Sequence, residues 1–314
     1  MMKRIIPAFI FFGILLIFSV NPGIPQAHAG NDFEITILYT NSLNGNIDFC
    51  KCKESPKGGL VKRATEINKI RRESGRVFLF ETGDFFPFDP DSLLAMYIVR
   101  AYRYISYDAM VFGDQEFTIG AGEFAGHLKN LPFVADNIFI PGAGGNLPRY
   151  RIIEKDKIRV GVIGTISPGA FRYYPQKITK DIRIGNQADE INRDADELRK
   201  KGVHVIVLLS HSGFDADREL MKKIRGVHVI IGGHSQTLVK KPVIEENMVL
   251  VQAGADGSRI GILQLTLSGG IIKSVKNSFR HPTEDYPEDD DYIRRLINEY
   301  TERSKKDLDK IKLD

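Results

Sequence analysis

Residues 205–237, VIVLLSHSGFDADRELMKKIRGVHVIIGGHSQT, contain the pattern that decides the fold. The runs at 205–209 and 227–231 are short, apolar and β-branched, which is typical of buried strands. The segment 215–224 between them has the apolar spacing of a helix. The stretch predicts a strand-helix-strand unit with His211 and His234 at the strand ends, where open α/β sheets bind their ligands. Two histidines delivered to one sheet edge indicate a metal site.

Strand and helix patterns alternate along most of the remaining chain, which predicts an α/β domain with a mixed sheet. Helices are predicted at 60–73, 92–104 and 187–201. Strands are predicted at 34–39, 77–81, 109–112, 133–135, 150–154 and 159–165. The runs at 243–244, 249–252, 260–267 and 271–280 are predicted to close the fold as one antiparallel set. Polar residues follow several of these strands, among them Asp84, Asp114 and Gln115.

The two ends of the chain differ in character from the region between them. Residues 1–29 have a basic start, an apolar run and a small-x-small cleavage pattern, so we expect a signal peptide and export to the periplasm or beyond. After cleavage we expect no stable membrane insertion, and residues 30–285 should form one domain. Residues 286–314 are predicted to form a charged amphipathic helix that packs on that domain, with docking of a partner as the alternative. Its apolar face carries Tyr292, Ile293, Leu296, Ile297 and Tyr300.

The charge balance argues against a nucleic-acid partner. Lysine and arginine number 44 against 40 aspartate and glutamate residues, which gives a formal net charge of +4. A nucleic-acid-binding domain would show a stronger basic excess.

The two cysteines, Cys50 and Cys52, are separated by a single residue. A disulfide across such a short span requires a tight turn and is strained. The pair could form that labile disulfide, act as a redox couple or provide two thiolate metal ligands. The residues alone leave these alternatives open.

The polar segments at the strand ends resemble, in order, the motifs of the calcineurin-like metallophosphoesterases of the 5′-nucleotidase and UDP-sugar hydrolase (UshA-like) family. The quoted segments are ITILYTNSLNG at 35–45, GGL at 58–60, GD at 83–84, GDQEF at 113–117, SH at 210–211 and GGH at 232–234. The resemblance implies a four-layered α/β sandwich with two metal ions at one sheet edge, which hydrolyses phosphate esters with the help of a histidine. The cysteine pair is similar to one in an extracytoplasmic UshA-like group.

Four departures from the family motifs fall mainly on one of the two metal sites. Where the family has Asp and His in its first motif, this chain has Ser42 and Asn44; Gln115 and Gln236 replace two further histidines. For one of the two ions, only Asp84 remains of the ligands that the resemblance implies. We therefore expect this ion to be absent or held in a rebuilt site.

The resemblance implies that the ligands of the other ion are all present. They correspond to Asp84, Asp114, His211 and His234, with Asp114 in place of the family's Asn. Two carboxylates and two imidazoles suit Zn, Mn or Fe(II), so we expect one divalent ion per chain.

Two functions are compatible with this pattern. The first is an exported, diverged metal-dependent phosphoesterase with weak or altered activity on a small phosphorylated molecule, in which Gln115 and Asn44 contact the substrate anion. The second is a non-catalytic metal- or anion-binding protein, or a thiol-redox protein, on the same fold. Cys50 and Cys52 are relevant to both functions, because they could be redox-active or could replace the lost metal ligands.

Overall fold

The computed structural model describes residues 32–49, 59–140, 147–180, 182–282 and 290–311. The predicted signal peptide at 1–29 and the Cys50 and Cys52 pair lie outside these ranges. Within the described residues, no helix is both long enough and apolar enough to cross a membrane.

The strands and helices alternate through most of the described chain. The strands are β1 (Phe33–Thr40), β2 (Val77–Thr82), β3 (Ala109–Val111), β4 (Ile138–Phe139), β5 (Tyr150–Lys155), β6 (Ile158–Ile166), β7 (Arg183–Ile184), β8 (Val205–His211), β9 (Val229–Gly232), β10 (Val243–Glu245), β11 (Met248–Val251), β12 (Ile260–Ser268) and β13 (Ile271–Arg280). The helices are α1 (Leu60–Glu73), α2 (Ser92–Ile105), α3 (Ala121–Leu128), α4 (Gln176–Thr179), α5 (Gln187–Lys200), α6 (Phe214–Met221) and α7 (Asp291–Ile311).

Two larger sheets form the centre of the described structure. The first has the strand order β13-β12-β1-β2-β3 and the second has β10-β11-β9-β8-β6-β5, while β4 and β7 form a separate small pair. Strands β1, β2 and β3 are parallel, as are β6, β8, β9 and β11. Because parallel neighbours end at the same edge of a sheet, the loops that follow these strands come together.

The apolar runs of the central strands are explained by burial on both faces. In β8, Val205, Val207 and Leu209 face the core between the two sheets, whereas Ile206 and Leu208 pack on the other face, in a core that includes residues of α5 and α6. The outer face of the first sheet packs in the same way in a core that includes residues of α1, α2 and α3. The result is the predicted four-layered sandwich of helices, sheet, sheet and helices.

The C-terminal helix α7 packs on the outer helices of the first sheet. Its residues Ile293, Leu296 and Ile297 are buried in the core that contains α1 and α2. The Arg294 guanidinium also contacts the Asp48 carboxylate, which lies in the loop after β1, at 3.0 Å. The helix therefore buries its apolar stripe within the same chain.

Two predictions about the strands are wrong. The runs from 243 to 280 pair antiparallel as predicted, β10 with β11 and β12 with β13, but they do not form one set. The first pair belongs to the second sheet and the second pair to the first sheet, and β11 also runs parallel to β9. The predicted strand at 133–135 is reduced to a single bridge between Phe133 and Met110. Phe133 instead packs against aromatic rings, including that of Phe112, with centroids 5.7 Å apart. Both errors arise because the hydrophobic pattern of a short segment indicates that the segment is buried but does not identify which strand lies beside it.

Candidate metal centre

Four predicted ligands meet where strands of both sheets end. Asp84 follows β2, Asp114 follows β3, His211 is the last residue of β8 and His234 follows β9. Each offers one ligand atom, and these atoms all lie within 4.8 Å of one another. The fold thus brings together the four residues that the sequence analysis selected as ligands.

Hydrogen bonds orient the two imidazoles of this cluster. His211 Nδ1 lies 2.7 Å from the carbonyl oxygen of Thr82, so this nitrogen donates its hydrogen to the backbone. His211 Nε2 lies 3.1 Å from Asp114 Oδ1 and 3.3 Å from Asp84 Oδ1. His234 Nδ1 lies 3.0 Å from Asp114 Oδ1. A histidine that is bound to a carbonyl through one nitrogen presents the other for a metal, which is the usual arrangement in metal sites.

The electrostatics of the cluster favour a positive charge at its centre. Burial opposes a charged His211, but the Asp84 charge and the hydrogen bonds to both carboxylates outweigh it and raise the His211 pKa well above its usual value. Burial likewise opposes ionisation of Asp114, but the two histidines hold its pKa well below the usual range. A divalent cation would satisfy the same carboxylates that here attract a proton.

Close backbone packing fixes the positions of the ligands. Asp84 and His234 both have left-handed backbones, with φ of 59° and 65°. A side chain at Gly113 would place its Cβ 2.4 Å from Asp84 Oδ1 and 2.4 Å from the His211 ring, so only glycine fits there. Left-handed non-glycine residues carry strain and are concentrated at functional sites.

Glu116 ties together the two loops that carry the aspartates. Its Oε2 accepts hydrogen bonds from the backbone N–H groups of Asp84 (3.0 Å) and Gly113 (2.5 Å). Its Oε1 accepts from Phe85 (2.8 Å) and Phe86 (3.0 Å). Burial and the charge of Asp84 raise the pKa of Glu116 to about 8, while the backbone donors oppose this shift. Glu116 therefore holds Asp84 and Asp114 in position without being part of the four-residue cluster.

Side-chain amides occupy the positions that the motif resemblance assigns to histidines of the family's active site. The Nε2 groups of Gln115 and Gln236 lie 3.2 and 3.5 Å from Asn44 Oδ1. Asn44 Nδ2 in turn donates to Asp256 Oδ1 at 3.0 Å. The Nε2 groups of both glutamines thus point to Asn44, and these neutral amides, with the hydroxyl of Ser42, differ from the Asp and His ligands that the resemblance implies for a second ion.

Tyr174 is a residue of this region that the sequence reasoning missed. It follows a short 3-10 helix, Pro168–Phe171, after β6, and its ring packs edge to face on Phe171 with centroids 5.9 Å apart. Burial, followed by the charges of Asp114 and Asp84, raises its pKa well above the usual value, so the hydroxyl keeps its proton. Because β6 is parallel to β8, its following loop must reach the same sheet edge, and this topology is the signal that could have identified Tyr174.

The chain is similar to known 5′-nucleotidases. No family model matches the chain. It is 29% identical over 297 residues to the snake venom 5′-nucleotidase of Gloydius brevicauda, covering 79% of this chain and 48% of that protein. The chain thus spans about half the length of the curated relatives it matches.

Solved structures share the fold. The 5′-nucleotidase precursor from Thermus thermophilus has a TM-score of 0.77 at 25% identity, over 87% of this chain and 59% of that one. The calcineurin-like phosphoesterase YfkN from Bacillus subtilis has a TM-score of 0.73 at 19% identity, over 87% of this chain and 98% of that one. These comparisons confirm the resemblance read from the motifs: the chain is a relative of the metallophosphoesterases of the 5′-nucleotidase family and has their fold.

Proposed function

We propose that the protein is a metal-dependent phosphoesterase whose centre binds one divalent ion where the family binds two. The observation that carries this proposal is the convergence of Asp84, Asp114, His211 and His234, with ligand atoms within 4.8 Å of one another. The similarity to 5′-nucleotidases supplies the reaction class, a phosphate ester hydrolysis. Export, predicted from residues 1–29, remains part of this proposal.

The four residues fit an ion of the Zn, Mn or Fe(II) class. Two carboxylates and two imidazoles are the donors that these ions prefer. When bound, the ion would polarise a phosphate oxygen and offset the negative charge that develops during hydrolysis. Asp114 adds a carboxylate where the family has a neutral Asn, so the site provides more negative charge for its single cation.

The remaining side chains favour binding over fast turnover. Thr82 orients His211, and Glu116 fixes the loops of Asp84 and Asp114. Gln115 stands where the family has a histidine, and an amide cannot exchange a proton with the leaving group. Because a positioned acid or base contributes roughly 10²–10⁴-fold to a rate, we propose weak or altered hydrolysis of a small phosphorylated molecule.

Metal analysis of the purified protein tests the proposal. We expect about one Zn, Mn or Fe ion per chain, and we expect His211→Ala to remove it because one of the four donors is lost. The matched control is His127→Ala, which replaces a histidine on α3 that is not part of the cluster. This variant should keep its metal. Elemental analysis after dialysis against metal-free buffer measures the metal content per chain of the unaltered protein and of both variants.

Hydrolysis of p-nitrophenyl phosphate by the metal-loaded protein separates the enzyme from a binding protein. Slow turnover that disappears in His211→Ala supports the phosphoesterase. Turnover that is equal in His211→Ala would come from a contaminant and would contradict the proposal. A bound ion with no turnover of any phosphate ester would instead favour the non-catalytic binding protein.

A further inference from the structure

Two acidic side chains near the small sheet of β4 and β7 are held by one guanidinium group. Asp136 precedes β4, and Asp194 lies on α5. Arg193 donates through Nη2 to Asp136 Oδ1 at 2.6 Å and through Nε to Asp194 Oδ1 at 3.1 Å. These two N–H groups form an edge of the guanidinium that usually binds both oxygens of a single carboxylate. Because this edge binds one oxygen from each acid, the two carboxyl groups are neighbours.

The second oxygen of each carboxyl group lacks a donor. The Asp136 and Asp194 side chains are 1% and 0% exposed. Asp136 Oδ2 and Asp194 Oδ2 are both buried, and neither has a hydrogen-bond partner among the described residues. Two ionised carboxylates cannot satisfy each other because both only accept hydrogen bonds, whereas a protonated carboxyl group can donate to an ionised one. A single shared proton supplies the missing donor and removes the repulsion between two like charges.

The charged groups around the pair leave acids in excess. Arg149, which precedes β5, donates to Asp194 Oδ1 at 2.8 Å and to Glu197 Oε2 at 2.7 Å. Glu190 on α5 contacts the Arg193 guanidinium. Four carboxyl groups therefore share two guanidinium groups, and one proton reduces this excess of negative charge. The outer polar groups of the cluster are Tyr150 and Lys201, which contact Glu197, and Arg183, which lies 5.6 Å from the centre of the Phe139 ring.

The shared proton can exchange with solvent near neutral pH. Burial, followed by the charge of Asp194, raises the pKa of Asp136 to about 7, although Arg193 opposes the shift. A cavity of about 340 Å³ lies beside the pair, and Asp136, Glu190 and Arg193 are part of its lining. This cavity gives water a route to the carboxyl group, so the proton can leave or return without unfolding of the chain.

The pair joins α5 to a loop that is fixed at the end of β6. Asn137, the residue after Asp136, accepts through Oδ1 from the Thr165 hydroxyl at 3.0 Å and from the Ile166 backbone N–H at 3.1 Å. Its Nδ2 donates to the Ile166 carbonyl at 2.8 Å. The loop is therefore held to β6 by Asn137 and to α5 by the contact between Asp136 and Asp194.

We infer that Asp136 and Asp194 form a proton-operated latch between this loop and α5, which is closed while the pair holds one proton and loosened when that proton leaves. Arg193 is the positioning residue that keeps the two carboxyl groups together. The latch lies apart from the four clustered ligands and goes beyond the proposed phosphoesterase function.

The direction of the pH dependence follows from the two states of Asp136. An aspartate in an unfolded chain has a pKa of about 3.9. Because the folded value is raised to about 7, the folded state holds a proton that the unfolded state lacks between about pH 4 and about pH 7. The stabilisation by the latch is therefore complete below about pH 4 and is lost as the pH rises to about 7.

Asp136→Asn tests the latch, because the amide keeps an acceptor for Arg193 and offers a permanent N–H donor to Asp194 Oδ2. The folding equilibrium constant of this variant, divided by that of the unaltered protein, should increase about 50-fold between about pH 5 and about pH 7 and should level off by about pH 8. Urea unfolding across this pH range, followed by circular dichroism, gives the ratio. Glu116 and Asp217, whose pKa values are raised to about 8, are present in both proteins and cancel in the ratio.

Two further variants and a second readout complete the experiment. Asp194→Asn places the amide on the other member of the pair and should show the same rise, which covers the case that Asp136→Asn does not fold. Asp189→Asn changes an exposed acid on the same helix and should leave the ratio nearly constant. In infrared spectra, the unaltered protein minus Asp136→Asn should show a protonated carboxylic acid band at about pH 6 that disappears toward pH 8.

The outcomes separate the latch from the proposed function. A ratio that stays constant with pH for both Asp136→Asn and Asp194→Asn, or the absence of the carboxylic acid band, would overturn the latch and leave the phosphoesterase proposal intact. Metal content should be the same in the unaltered protein and in these variants. An unaltered protein without metal would contradict the proposed function and leave the latch intact.

Discussion

The combined substitution Ser42→Asp, Asn44→His, Gln115→His and Gln236→His should raise the metal content from about one ion per chain to two. It restores the donors that the family implies for the second ion, next to Asp84. The backbone tolerates the new residues, because Ser42, Asn44 and Gln236 have left-handed φ values of 48°, 51° and 55°, a conformation that Asp and His adopt more readily than most residues.

Hydrolysis of p-nitrophenyl phosphate should rise at least about 100-fold in the same variant, because it regains a proton-transferring histidine and a second cation. Elemental analysis and steady-state kinetics measure the two effects. The matched control adds His211→Ala to the four substitutions and should lose both the added activity and the first ion. If the metal content stays at one and the rate does not change, this sheet edge has been rebuilt for a different chemistry.

Substitution of Glu116 by Gln should destabilise the protein by about 3 kcal/mol. Each carboxylate oxygen of Glu116 accepts two backbone N–H groups from the loops of Asp84 and Asp114. In Gln, an amide NH2 group replaces one of the two oxygens and faces two backbone N–H donors. Each buried donor left without an acceptor costs roughly 1–3 kcal/mol. Urea unfolding followed by circular dichroism measures the change at a pH above 8, where Glu116 is ionised because its pKa is about 8.

Glu123→Gln is the matched control for this prediction. Glu123 is an exposed acid on α3 that accepts a hydrogen bond from the Ser92 hydroxyl at 2.9 Å. Its substitution should change the unfolding free energy by no more than about 0.5 kcal/mol. Equal stability of Glu116→Gln and the unaltered protein would mean that Glu116 does not hold the two loops together.

The positions of the four clustered residues could be predicted because they depend on local patterns. Each of them follows or ends a short apolar strand, and parallel strands deliver their ends to one edge. His211 and His234 could therefore be placed from the strand-helix-strand pattern at 205–237. The departures at Asn44 and Gln236 could also be read directly, because they fall within motifs whose order is clear.

Features that depend on which strands become neighbours could not be predicted in the same way. The pairing of β11 with β9 skips the intervening strand β10, and the approach of Tyr174 to Asp114 joins two loops that follow strands of different sheets, so neither has a local signal. The orientation of the Gln115 amide depends on the carboxylate of Asp256, which is also distant along the chain. Such contacts are decided by packing and hydrogen bonding after the sheets have formed.

The pairing of β1 also sets when the first sheet can form. This strand is the middle one of its sheet, and its partners on one side come from the far end of the fold, as in the hydrogen bond between Tyr39 and Asn277, 238 residues apart. Closing a loop of that length before any contact is gained slows folding. During synthesis, the edge of β1 that pairs with β12 stays unpaired until β12 has been made. We therefore expect this chain to fold late and slowly and to be prone to aggregation.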